Sequence, residues 1–121
     1  MTTHRLPLRV LVVDDEAPAR ARLRDLLADI GPTLPNLVVG EAGDGAEALE
    51  VLGRMDADVV VTDIRMPRMD GIELARHLAR RPDPPAVIFV TAYDQYAVKA
   101  FELAATDYLM KPVRAARLAD A

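Results

Sequence analysis

The chain has no cysteine, which excludes a disulfide framework and any thiolate metal site and agrees with a reducing, cytoplasmic setting. It also lacks an excess of positive charge: 15 Lys and Arg stand against 19 Asp and Glu, a formal net charge of -4. Phosphate backbones are bound mainly through clustered basic side chains, so direct contact with nucleic acid is not expected of this surface. Long apolar runs are missing too. The first one, Leu8 to Val13, is ended by two carboxylates far below the length of a signal peptide or membrane span, so nothing here targets a membrane. No internal repeat or low-complexity segment is present.

What the chain does have is enough apolar material for one core. At 121 residues and 51% hydrophobic, residues 1–121 suit a single domain, with its core from about 7 to 118 and no need of metal or disulfide staples. Short β-branched runs at Leu8 to Val13, Leu37 to Val39, Val59 to Val61 and Ala86 to Val90, with a weaker one at Tyr108 to Met110, have the character of parallel strands buried on both faces. Helix-period stretches lie between them. Leu23, Leu26, Leu27 and Ile30 mark the first, and Ala97, Ala100, Phe101 and Ala104 the fourth. Residues 46 to 54 and 72 to 80 supply the second and third, with Leu49 and Leu52, then Leu74 and Leu78, facing inward. Pro18 can open the first helix, Gly31-Pro32 ends it, Asp44 can cap the second, and Pro82 to Pro85 separates the third helix from the fourth strand. Arg114 to Ala121 has the pattern of a last helix with no Gly or Pro to close it, as expected of a truncated one.

Five βα repeats with short links predict a doubly wound α/β fold: a five-stranded parallel sheet covered on both sides, its strand ends on one rim. In the order 2-1-3-4-5, strands one and three are neighbours and form the topological switch point. Asp14 and Asp15 follow the first strand and Asp63 follows the third, so three carboxylates should meet there. Any one of them alone is adequately explained as a strand-end cap. Independent caps, however, do not account for Thr91 after the fourth strand and Lys111 after the fifth. Crowded carboxylates repel, and an all-oxygen donor set suits a hard cation such as Mg²⁺. With that counter-charge Asp63 can act as a carboxylate nucleophile toward phosphorus, leaving Thr91 and Lys111 to steady the charge on the transferred group. Lys111 is one of only two lysines beside thirteen arginines. Pro112 after it is a candidate for a cis bond that aims the ammonium inward.

Val10-Leu-Val-Val-Asp14-Asp15-Glu16, Val61-Thr-Asp63-Ile-Arg-Met-Pro67-Arg-Met-Asp70-Gly71, Thr91-Ala92 and Tyr108-Leu-Met-Lys111-Pro112 resemble response-regulator receiver domains over nearly the whole chain. The stretch from Phe89 to Phe101 and Asp107 to Pro112 is most similar to the LytR/AlgR type, whose receivers usually precede a DNA-binding domain. The resemblance implies a flavodoxin-like receiver fold and a switch in two-component signal transduction. It implies Asp63 as phosphoacceptor, Mg²⁺ held by Asp14, Asp15, Asp63 and the backbone carbonyl of Arg65, and phosphoryl contacts from Thr91 and Lys111. Tyr108 takes the place of an aromatic switch coupled to Thr91, and the small Ala92 leaves access for the phosphodonor. The implied partners are a sensor histidine kinase, a second copy through helix four, strand five and helix five, and DNA only through an effector domain absent from this chain. Val98, Lys99 and Leu103 fall on that output surface.

Other features carry less. Gly40-Glu-Ala-Gly43-Asp-Gly45 lacks the GxGxxG order and its place after the first strand, so it is taken as a turn. His4 and His77 have no ligand partner at metal spacing. Arg20, Arg22 and Arg24 spread over several faces of the first helix, as expected of a solvated surface or a kinase-docking rim. Two other readings stay open at this point. A haloacid-dehalogenase-like phosphatase also uses an Asp nucleophile with Mg²⁺, but its Asp-x-Asp-x-Thr motif is missing here. A receiver-like interaction module without phosphoryl chemistry would not need the full acidic set.

Overall fold

The computed structural model describes residues 6–92, 107–111 and 118. Strands β1 (Leu8–Val13), β2 (Asn36–Ala42), β3 (Val59–Thr62), β4 (Ala86–Thr91) and β5 (Asp107–Met110) form one sheet in the order β2-β1-β3-β4-β5. Every pairing is parallel. Three described helices connect them: α1 (Ala17–Ile30), α2 (Gly45–Leu52) and α3 (Gly71–Ala79). The expected fourth helix, with Val98, Lys99 and Leu103, and the closing helix both fall outside the described residues apart from Leu118, as do His4 and Pro112.

The period of two along β1 divides the core between the two faces. Val10 and Val12 pack with Leu23, Leu26, Leu27 and Ile30 of α1. Leu11 and Val13 turn the other way, against Ala48, Val51 and Leu52 of α2 and Leu74 and Leu78 of α3. In α2 the inward positions are Ala48, Val51 and Leu52, with Leu49 only partly buried, a small rotation from the expected Leu49 and Leu52.

The second strand departs from the expectation of burial on both faces. It is longer than its apolar run, lies at the sheet edge, and leaves Leu37 55% exposed. Gly40, Glu41 and Ala42 belong to this strand, so the glycine-rich segment is a strand followed by the bend at Gly43-Asp44. The β1–β2 register shifts between Val10 and Leu11, which pair with Val38 and Gly40. Val39 is thus an extra residue in an edge strand, a common place for a bulge.

Helix starts follow local chemistry. Asp44 accepts from the Glu47 amide at 2.8 Å, and Glu47 returns a carboxylate oxygen to the Gly43 amide, also at 2.8 Å, a reciprocal cap. Asp70 caps α3 by accepting from the Glu73 amide at 2.8 Å. Pro18 lies in the first turn of α1, where its missing N–H costs nothing.

Behind that cap, Gly71 is pressed onto the chain at Asp63 and Ile64, and its amide donates to the Ile64 carbonyl at 2.8 Å. A Cβ at this position would collide with the Asp63 carbonyl oxygen and crowd the Ile64 Cα. Gly71→Ala is therefore expected to lower unfolding free energy by about 3 kcal/mol, the upper part of the range for overpacking, because backbone must move. Urea denaturation followed by circular dichroism measures it, and a change under about 0.5 kcal/mol, the surface range, would contradict the close approach.

Candidate functional site

Parallel strands end on one rim, and the residues just past their C-termini are brought together there. β1 delivers Asp14 and Asp15, and the central β3 delivers Asp63. The amides of Asp14 and Asp63 donate to the Ala42 and Val13 carbonyls at 3.0 Å each, extending the ladder one step past the strand ends. Ligand oxygens of Asp14, Asp15 and Asp63 lie within 4.8 Å of one another. Asp14 is buried at 1% exposure and Asp63 is buried as well, whereas Asp15 stands exposed at the mouth.

β5 supplies the cation. Lys111 Nζ donates to Asp14 Oδ2 and to Asp63 Oδ2, each at 2.9 Å. Its backbone amide donates to the Thr91 carbonyl at 2.9 Å, which ties the end of β5 to the end of β4. Burial alone would push the Lys111 ammonium down, but hydrogen bonds and charge from Asp63 and Asp14 outweigh it and hold the group above the ordinary lysine value. The remaining carboxylate oxygens are also engaged: Asp14 Oδ1 accepts from the Glu16 amide at 3.0 Å, and Asp63 Oδ1 from the Ile64 amide at 2.6 Å.

Thr91 is fully buried. Tyr108 is half-buried, its ring edge-on to Phe89 with centroids 6.2 Å apart. Arg65 is exposed on the segment between β3 and α3. His77 lies exposed on α3 and takes no part in the cluster.

Three carboxylates face one ammonium, leaving two negative charges at the rim if all are ionised. The donor set is oxygen only, partly open and in excess negative charge, which fits a divalent hard cation that keeps several waters. On this chemistry Mg²⁺ fits.

Two groups beside the site were not legible as such. Arg20 is half-buried rather than solvated: its Nη1 donates to the Asp14 carbonyl at 2.7 Å and its Nε to Glu41 Oε1 at 3.1 Å. Arg24 reaches the other oxygen of Glu41 at 3.2 Å. This part of the helix-one arginine set is thus an ion-pair network that braces the end of β1. The second group is Asp44, whose Oδ2 accepts from Arg68 Nε at 2.8 Å and Nη2 at 2.6 Å. Burial pushes the Asp44 carboxyl up, yet the Glu47 amide and the Arg68 guanidinium together hold it below its usual range.

Comparison with known proteins gives a consistent picture. The model of the response regulator receiver domain matches residues 10–121. The positive alginate biosynthesis regulatory protein of Pseudomonas aeruginosa is 44% identical over 114 residues, covering 94% of this chain and 45% of that protein. The sensory transduction protein LytT of Bacillus anthracis is 46% identical over 105 residues, covering 87% and 42%. The chain thus spans less than half the length of these relatives. Among solved structures, the response regulatory domain of protein mrkE from Klebsiella pneumoniae superposes with a TM-score of 0.85 at 33% identity, covering 93% of this chain and 90% of that one.

Proposed function

The chain belongs to the response regulator receiver domain family, of the LytR/AlgR type, and from that premise we propose that it is a phosphorelay switch whose phosphoacceptor is Asp63. The observation that carries this is the placement of Asp63 just past the end of the central strand β3. Asp14 and Asp15 come from the neighbouring strand β1, and Lys111, from the far strand β5, bridges Asp63 and Asp14 through Nζ at 2.9 Å from an oxygen of each.

Asp14, Asp15, Asp63 and the backbone carbonyl of Arg65 are the proposed ligands of Mg²⁺. The bound ion supplies charge neutralisation for the oxygens of an incoming phosphoryl group. A carboxylate oxygen of Asp63 forms the new bond to phosphorus while the bond from phosphorus to the donor histidine nitrogen breaks, and that nitrogen leaves with the electron pair. Lys111 exchanges its hold on Asp63 for the phosphoryl oxygens, and the Thr91 hydroxyl donates to the same group. Thr91 and Tyr108 then link the rim to the output surface, by favouring one of two packings through differential contacts.

Each chain assists its own phosphorylation and slow dephosphorylation but is consumed stoichiometrically in accepting one phosphoryl group, which makes it a signalling switch rather than a turnover enzyme. The phosphatase reading is set aside by the family membership. A cytoplasmic sensor histidine kinase is the proposed donor. A DNA-binding effector, outside these 121 residues, is the proposed output, with a second copy of the chain as a further partner.

Intact-mass and peptide-mapping spectrometry after treatment with acetyl phosphate tests the reading. One acid-stable, base-labile phosphoryl group on Asp63 is expected with Mg²⁺ and none with chelator. Absence of label under Mg²⁺ would leave a receiver-like interaction module without phosphoryl chemistry.

A further inference from the structure

Arg68 is the only non-glycine residue with positive φ among the described residues, at 63°. For an L-residue with a long side chain this conformation is costly and persists only where the surroundings over-determine it. Its surroundings are the start of α2. The guanidinium delivers two N–H groups to Asp44 Oδ2, at 2.8 and 2.6 Å, while Asp44 Oδ1 caps α2 through Glu47. One residue on, the Met69 carbonyl accepts from the Gly45 amide at 2.9 Å. Gly45 has no room for a side chain: a Cβ there would stand 2.7 Å from Met69 Cγ and 2.8 Å from the Met69 carbonyl oxygen. At its far end the same segment is held by Gly71 against Ile64, 2.8 Å from amide nitrogen to carbonyl oxygen.

The segment 64–70 is thus clamped at both ends, by α2 and by its own return to β3. It begins directly after Asp63 and carries the Arg65 carbonyl. An exposed ion pair usually contributes little to stability. This one differs in that its carboxylate partner is buried and already committed to a helix cap, so the guanidinium has a fixed anchor. The pairing spans 24 residues of sequence and joins two elements on the same face of the sheet.

We propose that Arg68 and Asp44 form a latch that holds segment 64–70 against α2 and so presets the backbone beside Asp63 for divalent-cation binding, with Arg68 as a positioning residue. This rests on the metal site proposed above. Without the latch the segment must be ordered at the moment the ion binds, and that ordering cost is taken from the affinity.

Arg68→Gly removes the guanidinium while tolerating the positive φ, Asp44→Asn keeps a capping oxygen while removing the charge, and Arg68→Lys restores a cation. In metal-free protein, amide exchange at Gly45 is expected to accelerate in the first two. Calorimetric titration with magnesium chloride is expected to show affinity weakened on the order of tenfold, the scale seen when a support of a metal ligand is lost. Arg68→Lys recovers part of it, and the double variant is no worse than either single one, as for two ends of one contact. Faster Gly45 exchange with magnesium affinity within about twofold of wild type would reduce the pair to local structure and overturn the proposal, as would unchanged exchange. A wild-type chain that binds no magnesium would overturn the metal site and the latch together, whereas normal wild-type binding with unaffected variants overturns the latch alone.

Discussion

Asp63→Asn is expected to reduce Mg²⁺-dependent labelling by phosphodonors at least about 100-fold, to background, the scale on which loss of a nucleophile is felt. The amide has nearly the same shape as the carboxylate, and its oxygen can still accept from the Ile64 amide, which now stands 2.6 Å from Asp63 Oδ1. Lys111 keeps Asp14 as partner at 2.9 Å. What disappears is the anionic oxygen that would form the bond to phosphorus, together with one of three negative charges that draw the cation in. The fold should persist, since the exchange is close to isosteric and relieves repulsion among the acids. Circular dichroism of the variant should therefore overlay the wild type while mass spectrometry finds no label. Label retained at wild-type level, or found on Asp14 or Asp15, would remove Asp63 from its proposed role.

The second large effect concerns stability in the absence of metal. Lys111→Ala leaves Asp14 and Asp63 buried without the ammonium that now bridges them. Breaking a buried pair by removing one partner typically costs about 3–5 kcal/mol, and the open rim brings this one below that range, to about 2–3 kcal/mol. For a domain of this length that corresponds to a fall of about 10 °C in Tm. Magnesium should restore part of the loss, because a divalent ion replaces the missing positive charge and binds only the folded state. The direction of the lysine shift gives a second signature. A base held above its ordinary value stabilises the fold fully below the unfolded-state value, and the contribution fades as pH rises through the raised one. Wild type should thus carry the whole effect at neutral pH and lose it only in the alkaline range beyond about pH 10. Lys111→Ala should lack that alkaline component. Scanning calorimetry of both proteins with chelator and with magnesium measures it, and equal Tm values in chelator would show that the bridge contributes nothing.

Much of this site could be read along the chain, for a definite physical reason. In a parallel sheet every strand exits on the same rim, so finding the ends of the apolar runs is enough to place Asp14, Asp15, Asp63, Thr91 and Lys111 together. The alternation of β-branched runs with helix-period stretches determined the α/β class, and the acidic pair after the first strand pointed to the switch between β1 and β3. The amino-acid order also carries the caps, in Asp44 and Asp70, each three residues before a glutamate.

The tertiary structure alone decided which of three similar arginines on α1 turns inward. Arg20, Arg22 and Arg24 look alike in sequence, and only the roll of the helix against β1 and β2 sends Arg20 to the Asp14 carbonyl and Glu41. Likewise, nothing local pairs Arg68 with Asp44, since the contact depends on how closely the segment after β3 approaches α2 across Gly45. The exposure of Leu37 follows from strand order, because β2 has a neighbour on one side only. Periodicity and turn chemistry act over a few residues and are written in the sequence, while partners tens of residues apart are set by packing geometry that no short window contains.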